Sequence, residues 1–114
     1  MNAEEFLSQR LPLPGVAAWA LRLANSRILS HCYTDWVSPD QVGQALSRLV
    51  LSADGFSYHG IRPTRVCWVF EHARLHLALR SDGACLALFV ENRPGAADGK
   101  LDELLAEFAG LADV

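Results

Sequence analysis

The chain has 114 residues, 51% of them hydrophobic and 20% charged, a balance that excludes a disordered polypeptide and suits one domain with a single core. Its net charge of −3 and its scattered arginines lack the clustered basic footprint on which nucleic-acid affinity depends, so no nucleic acid is expected as a partner. The acidic start (Met1-Asn2-Ala3-Glu4-Glu5) and a longest apolar run of only seven residues, at 84–90, point away from a secretory leader and from membrane insertion. Three cysteines without a CxxC spacing fit a reducing, cytoplasmic setting.

Residues 2–11 form the first predicted helix: Asn2 and Glu5 have the spacing of a capping box, and Phe6, Leu7 and Leu11 share a face. Pro12-Leu13-Pro14-Gly15 stops it. Residues 16–23 and 27–33 read as two strands joined across Ala24-Asn25-Ser26, and residues 33–37 as a loop. Ser38-Pro39-Asp40-Gln41 is the strongest helix start in the chain. Ser38 can cap, Pro39 suits the first helical position, and Gln41 completes a capping box. Val42, Ala45, Leu46, Leu49, Val50 and Ala53 then recur at helical spacing until Asp54-Gly55. A linker at 56–64 leads into three antiparallel strands at 65–92. Residues 93–97 break the last strand, and a final helix from about Asp98 carries Leu101, Leu104, Leu105 and Phe108 on one face.

For the three-strand segment, Asp82-Gly83 predicts a two-residue type I′ turn and His72-Ala73 the preceding one. That register gathers Val66, Trp68, Phe70, Leu75, Leu77, Leu79, Leu86, Leu88 and Val90 on one face. Small and basic residues, including Arg65, Cys67, Arg74, His76 and Arg80, fall on the other. Cys67 and Cys85 then sit two strands apart, about 10 Å, which is beyond disulfide reach. The expected architecture is α/β (α+β): one five-stranded, mainly antiparallel sheet covered by helices on both faces, in the order α-β-β-α-β-β-β-α. The strand at 65–71 would lie at an edge, rich in Val, Trp and Phe, with no proline to guard it.

This order and its punctuation resemble the roadblock / dynein light chain family. The resemblance rests on Leu13-Pro14-Gly15-Val16 before the first strand, the hairpin at 19–32, the Ser38-Pro39 helix, the meander at 65–91, the breaker Asn92-Arg93-Pro94-Gly95 and the Leu/Glu-rich last helix. It spans roughly residues 4–111, nearly the whole chain, as one roadblock-like domain with a roadblock/profilin-like sheet. Asn25-Ser26, where the family often has an Asp-Gly-like turn, Trp36 and the Phe56-Ser57-Tyr58-His59-Gly60 linker depart from the pattern. The resemblance implies a homodimer, or a heterodimer with a paralogue, in which the first meander strands of two copies pair and their middle helices lie side by side. Carried onto this chain, the dimer interface would comprise Arg65, Val66, Cys67, Trp68, Val69 and Phe70 with Val42, Ala45, Leu46 and Leu49. The same resemblance implies a non-catalytic regulator or scaffold, whose prokaryotic relatives bind small Ras-like GTPases and influence their nucleotide cycle.

The residues offer little chemistry of their own. His31 and Cys32 are adjacent on a strand and so point to opposite faces, which prevents a base from serving that thiol. His72 and His76 have a helical zinc spacing but fall on a turn and a strand, without a third ligand. Arg65, Arg74 and Arg80 would form either a patch for an acidic partner or a set of stems packed under a helix. Tyr33 and Trp36, flanking a loop, are candidate partner contacts or a cover for the core edge. With no Walker motif, GxGxxG or spaced carboxylate pair, no catalytic residue, cofactor or metal is expected. The alternatives are a metal-binding or small-molecule-sensing domain, or an adaptor in a complex that contains no GTPase.

Overall fold

The computed structural model describes residues 2–56, 60, 63–92 and 98–111. Its elements are helix α1 (Ala3–Arg10), strands β1 (Val16–Arg22) and β2 (Ile28–Cys32), helix α2 (Pro39–Asp54), strands β3 (Arg65–Val69), β4 (Ala73–Leu79) and β5 (Cys85–Glu91), and helix α3 (Asp98–Ala109). At α1 one half of the anticipated capping box is present, and at α2 the whole of it. Asn2 Oδ1 accepts the Glu5 N–H at 2.8 Å, and Ser38 and Gln41 close a reciprocal capping box that starts α2. Among the described residues the five strands form one antiparallel sheet, ordered β2-β1-β5-β4-β3. Helix α2 carries the chain from one edge of this sheet to the other.

Strand β5 lies at the centre and is buried from Cys85 to Val90, as expected for a strand covered on both faces. Its side chains alternate between two cores. On one face Val42, Leu46, Val50 and Ala53 of α2 pack on Ala18, Ala20, Leu77, Cys85, Ala87 and Phe89. Three of those sheet residues are alanines, so the helix can approach closely. On the other face α1 (Phe6, Leu7) and α3 (Leu101, Leu104, Leu105, Phe108) pack on the larger Leu21, Leu86, Leu88 and Val90. Arg10 pairs with Glu107 and ties α1 to α3.

The β4–β5 turn differs from the predicted one. Arg80 N–H bonds to the Ala84 carbonyl at 3.0 Å, Gly83 N–H returns to the Arg80 carbonyl at 3.2 Å, and Gly83 has φ +91°. The loop is therefore three residues long, with Gly83 in the left-handed position, and the register is Leu79↔Cys85 and Leu77↔Ala87. One extra loop residue turns β5 over relative to β4. Leu86, Leu88 and Val90 consequently face α1 and α3, whereas Leu75, Leu77 and Leu79 face α2. The single greasy face expected from the sequence does not exist: Leu86, Leu88 and Val90 lie on the face opposite to the other six. At the β3–β4 turn the central residues are Glu71 and His72, since Phe70 N–H bonds to the Ala73 carbonyl at 2.8 Å. Trp68 thus pairs with Leu75 and His76 with Cys67, a shift of two that leaves the faces as predicted. The breaker at 93–97 and most of the 56–64 linker lie outside the described residues.

The β1–β2 hairpin repeats the β4–β5 loop. Ser26 N–H bonds to the Leu23 carbonyl at 2.9 Å and Leu23 N–H to the Arg27 carbonyl at 2.8 Å, with Ser26 at φ +72° where the other loop has glycine. In each loop a short polar side chain braces the turn: Asn25 Oδ1 accepts the Arg27 N–H and Asp82 Oδ1 the Ala84 N–H, both at 3.0 Å. Asp82 also pairs with Arg80 at 2.9 Å, and that guanidinium, 9% exposed, donates at 2.7 Å to the Phe108 carbonyl near the end of α3. Its hydrogen bond with Arg80 is the main force holding the Asp82 carboxyl below the usual carboxylate range.

These turns generate two predictions. Ser26→Gly relieves a left-handed serine and should raise the unfolding free energy by about 0.5–1 kcal/mol in urea titration; an unchanged or lowered midpoint would show the position to be unstrained. Asp82→Ala leaves a nearly buried guanidinium without its carboxylate and should cost about 2 kcal/mol. Asp82→Asn keeps the Ala84 bond and isolates the charge. Because the folded pKa is depressed, the charge contribution is complete above the ordinary carboxylate value of about 3.9 and disappears as pH falls through the lower folded one. The wild-type and Asp82→Asn stability curves should therefore converge on acidification. Parallel curves would remove Asp82 as the source.

Candidate functional site

Strand β3 is an edge of the sheet, paired to β4 alone among the described residues. The bonds Phe70 N–H to Ala73 carbonyl and Leu79 N–H to Thr64 carbonyl, each 2.8 Å, fix the alternation along it. Val66 and Trp68 turn their backbone groups toward β4. Arg65, Cys67 and Val69 turn theirs outward, as a short template for another antiparallel strand.

The side chains beside this edge are unevenly covered. Helix α2 lies over β1 and β2, on the far half of the sheet. On that face Val66 and Trp68 are consequently half-buried and Phe70 is 56% exposed, whereas Val69, 74% exposed, belongs to the opposite face. The flank of α2 that faces this half carries half-buried Ala45 and Leu49 beside Gln41, Gln44 and Arg48, around a shallow groove of about 350 Å³. Trp68, Leu75, Ala45 and Leu49 fringe the same core cluster, so edge, sheet face and helix flank form one partly apolar surface. Val42 and Leu46 are a correction to the predicted interface. Both have 0% exposure and serve the core beneath α2, leaving no surface for a second copy. The i, i+4 spacing that identifies them as apolar cannot say which side of the stripe meets the sheet.

Tyr33 and Trp36 are 37% and 55% exposed in the β2–α2 loop. Tyr33 packs edge-on to His31, with ring centroids 4.7 Å apart, and accepts the Trp19 indole N–H at 3.3 Å. Trp36 stands at the end of the sheet beside His72, Ala73, Glu91 and Asn92. Tyr33 therefore lies by β1 and β2, whereas Trp36 adjoins the β3–β4 turn. Two apolar residues at the other edge, Ile28 and Leu51, were missed by sequence reasoning and are 42% and 71% exposed. Leu51 was detectable as an apolar residue lying off the Val42-Leu46-Val50-Ala53 stripe.

The remaining candidates have structural partners. Arg65 pairs with Asp102 of α3 at 2.9 Å, Arg74 bonds to Asn92 at 3.1 Å and to His76 at 3.2 Å, and Arg80 is held as described. The arginine patch thus fastens α3 and neighbouring strands together. Cys32 and His31 lie on opposite faces; burial raises the Cys32 thiol and pushes that of Cys85 up to about 11, away from a reactive thiolate. Cys67 and Cys85 are separated by β4, and all three cysteines are free. Among the described residues no three His, Cys, Asp or Glu side chains gather in a metal-binding group, and no helix is long and apolar enough to cross a membrane.

No protein-family model matches the sequence, and no curated protein resembles it significantly. Solved structures do resemble the fold. A Roadblock/LC7 domain from Streptomyces avermitilis superposes with a TM-score of 0.70 at 14% identity, over 96% of this chain and 93% of that one. The gliding protein MglB from Thermus thermophilus gives 0.68 at 19% identity, over 95% and 88%. Myxococcus xanthus MglB gives 0.60 at 10% identity, over 83% and 81%. With the helix order, the five-stranded sheet and both helical layers in agreement, this chain has the Roadblock/LC7 fold.

Proposed function

We propose that the chain, as one domain, is a non-catalytic, cytoplasmic homodimer that regulates or scaffolds a small Ras-like GTPase. The observation that carries the dimer is the continuity of the unpaired β3 edge with the half-covered Trp68, Leu75, Ala45 and Leu49 surface. A second copy related by a two-fold axis supplies both missing parts: its β3 extends the sheet, and its α2 covers the bare half. The outward backbone groups of Arg65, Cys67 and Val69 centre that axis on Cys67. Arg65 then meets Val69 of the second copy, and each Cys67 meets its equivalent with Cα atoms about 5.5 Å apart, inside disulfide range. The GTPase follows from the roadblock resemblance, and the similarity of fold to two MglB proteins supports a regulatory role.

Sedimentation of the purified chain should give twice the 12.5 kDa monomer. Trp68→Glu should dissociate the dimer or prevent folding. Cys67→Pro removes only an outward N–H at an edge and should leave a folded monomer. A dimer that persists in both variants would place the interface elsewhere. Mild oxidation should link two copies through Cys67, and Cys67→Ser should abolish the link while Cys32→Ser preserves it. A sedimenting dimer that does not cross-link would reject the register. For the GTPase, capture of the tagged protein from its native lysate with GDP or a non-hydrolysable GTP analogue should retain a Ras-like GTPase in a nucleotide-dependent way. Recovery of only its own copies would reduce the role to scaffolding.

A further inference from the structure

Among the described residues the sheet has a second free edge, β2, and it differs from the first in what stands above it. The bonds Leu23 N–H to Arg27 carbonyl at 2.8 Å and Tyr33 N–H to Ala17 carbonyl at 2.7 Å turn Leu29 and His31 toward β1. Ile28, Ser30 and Cys32 therefore direct their backbone N–H and carbonyl groups outward. Helix α2 stands over this edge. A side chain added at Gly43 would lie 3.7 Å from Ile28 Cγ2, and Ser30 Oγ donates to the Pro39 carbonyl at 3.0 Å. Between the edge and the C-terminal half of α2 runs a groove of about 410 Å³, lined by Arg22, Ile28, Ser47, Val50, Leu51 and Asp54.

We propose that β2 and this groove form a docking site for an extended peptide segment of a partner protein. The segment adds as a sixth strand, places one apolar side chain against Ile28, Val50 and Leu51, and carries an acidic side chain toward Arg22. Main-chain bonds to Ile28, Ser30 and Cys32 provide affinity, and the groove provides selectivity. A second copy of this chain does not fit here. Paired strands lie about 4.8 Å apart, whereas packed helices need about 8–10 Å, so two copies joined at β2 would force their α2 helices together. A bare strand brings no helix. The preference for an acidic neighbour follows from the two charges of the groove, neither of which has an ion pair among the described residues. Arg22 is half-buried and Asp54 is exposed, so solvent and salt screen Asp54 more.

The site is tested with labelled synthetic octapeptides of alternating Val and Thr around one Leu, flanked by Glu or by Lys, titrated against the full chain. The Glu-flanked peptide should bind more tightly and shift the amide signals of residues 28–32 and of Leu51. Leu51→Asp, at an exposed helix position, and Ser30→Pro, which removes an outward N–H, should each weaken binding about ten-fold while circular dichroism shows the fold retained. Cys67→Pro at the opposite edge should leave peptide binding unchanged, which separates this site from the proposed dimer. No saturable binding, equal binding of the Glu and Lys peptides, or indifference to both Leu51→Asp and Ser30→Pro would overturn the proposal.

Discussion

Everything in this molecule is arranged around a strand that water does not reach. From Cys85 to Val90, β5 is buried on both faces and bonded on both sides, so its backbone groups depend wholly on β1 and β4 for partners. That requirement places one helical layer on each face. Residue size then decides how the layers sit. Alanines beneath α2 let it settle close over β1 and β2, and the larger leucines opposite support the α1–α3 pair. Three helices cannot cover five strands completely on both faces. The part left bare, around Trp68 and Leu75, lies beside an open edge, and this coincidence gives the surface its functional interest.

Much of the fold was legible because local chemistry and global arrangement agree. Asn2, Ser38 and Gln41 mark the helix starts by the bonds they form, and the apolar run at 85–90 marks the central strand by its length and lack of alternation. Register was less legible. Asp82-Gly83 fits a two-residue turn and equally the end of a three-residue one, and the three-residue form observed is braced by the Asp82–Ala84 bond and also by Arg80. Its guanidinium reaches both Asp82 and the end of α3, a long-range contact that no local pattern announces. One residue of difference in the loop redistributed three large side chains between the faces.

The candidate surface was half legible. An edge strand without proline or lysine can be read from residues 65–69 once the strand order is supposed. Which α2 residues adjoin it depends on where the helix lies across the sheet, and the alanines of β1 and β5 decide that. Ala45 and Leu49 thus remain partly open while Val42 and Leu46 are sealed. The arginines misled for a related reason. A basic residue on a sheet face looks like a binding patch until the helix that crosses it is shown to supply Asp102 and the Phe108 carbonyl.

The pairing of β1 with β5 has a consequence for how the chain is made. Val16 meets Val90 and Arg22 meets Cys85, so the inner side of the first hairpin finds its neighbour only after residues 85–90 have left the ribosome. Until then β1 offers Ala17, Ala18, Ala20 and Leu21 on an unfinished sheet, beside a helix with nothing complete to rest on. Closing contacts so distant in sequence is slow relative to forming local turns. The braced loops at Asn25 and Asp82 are by contrast local contacts, closed within a few residues of chain and independent of that long-range pairing.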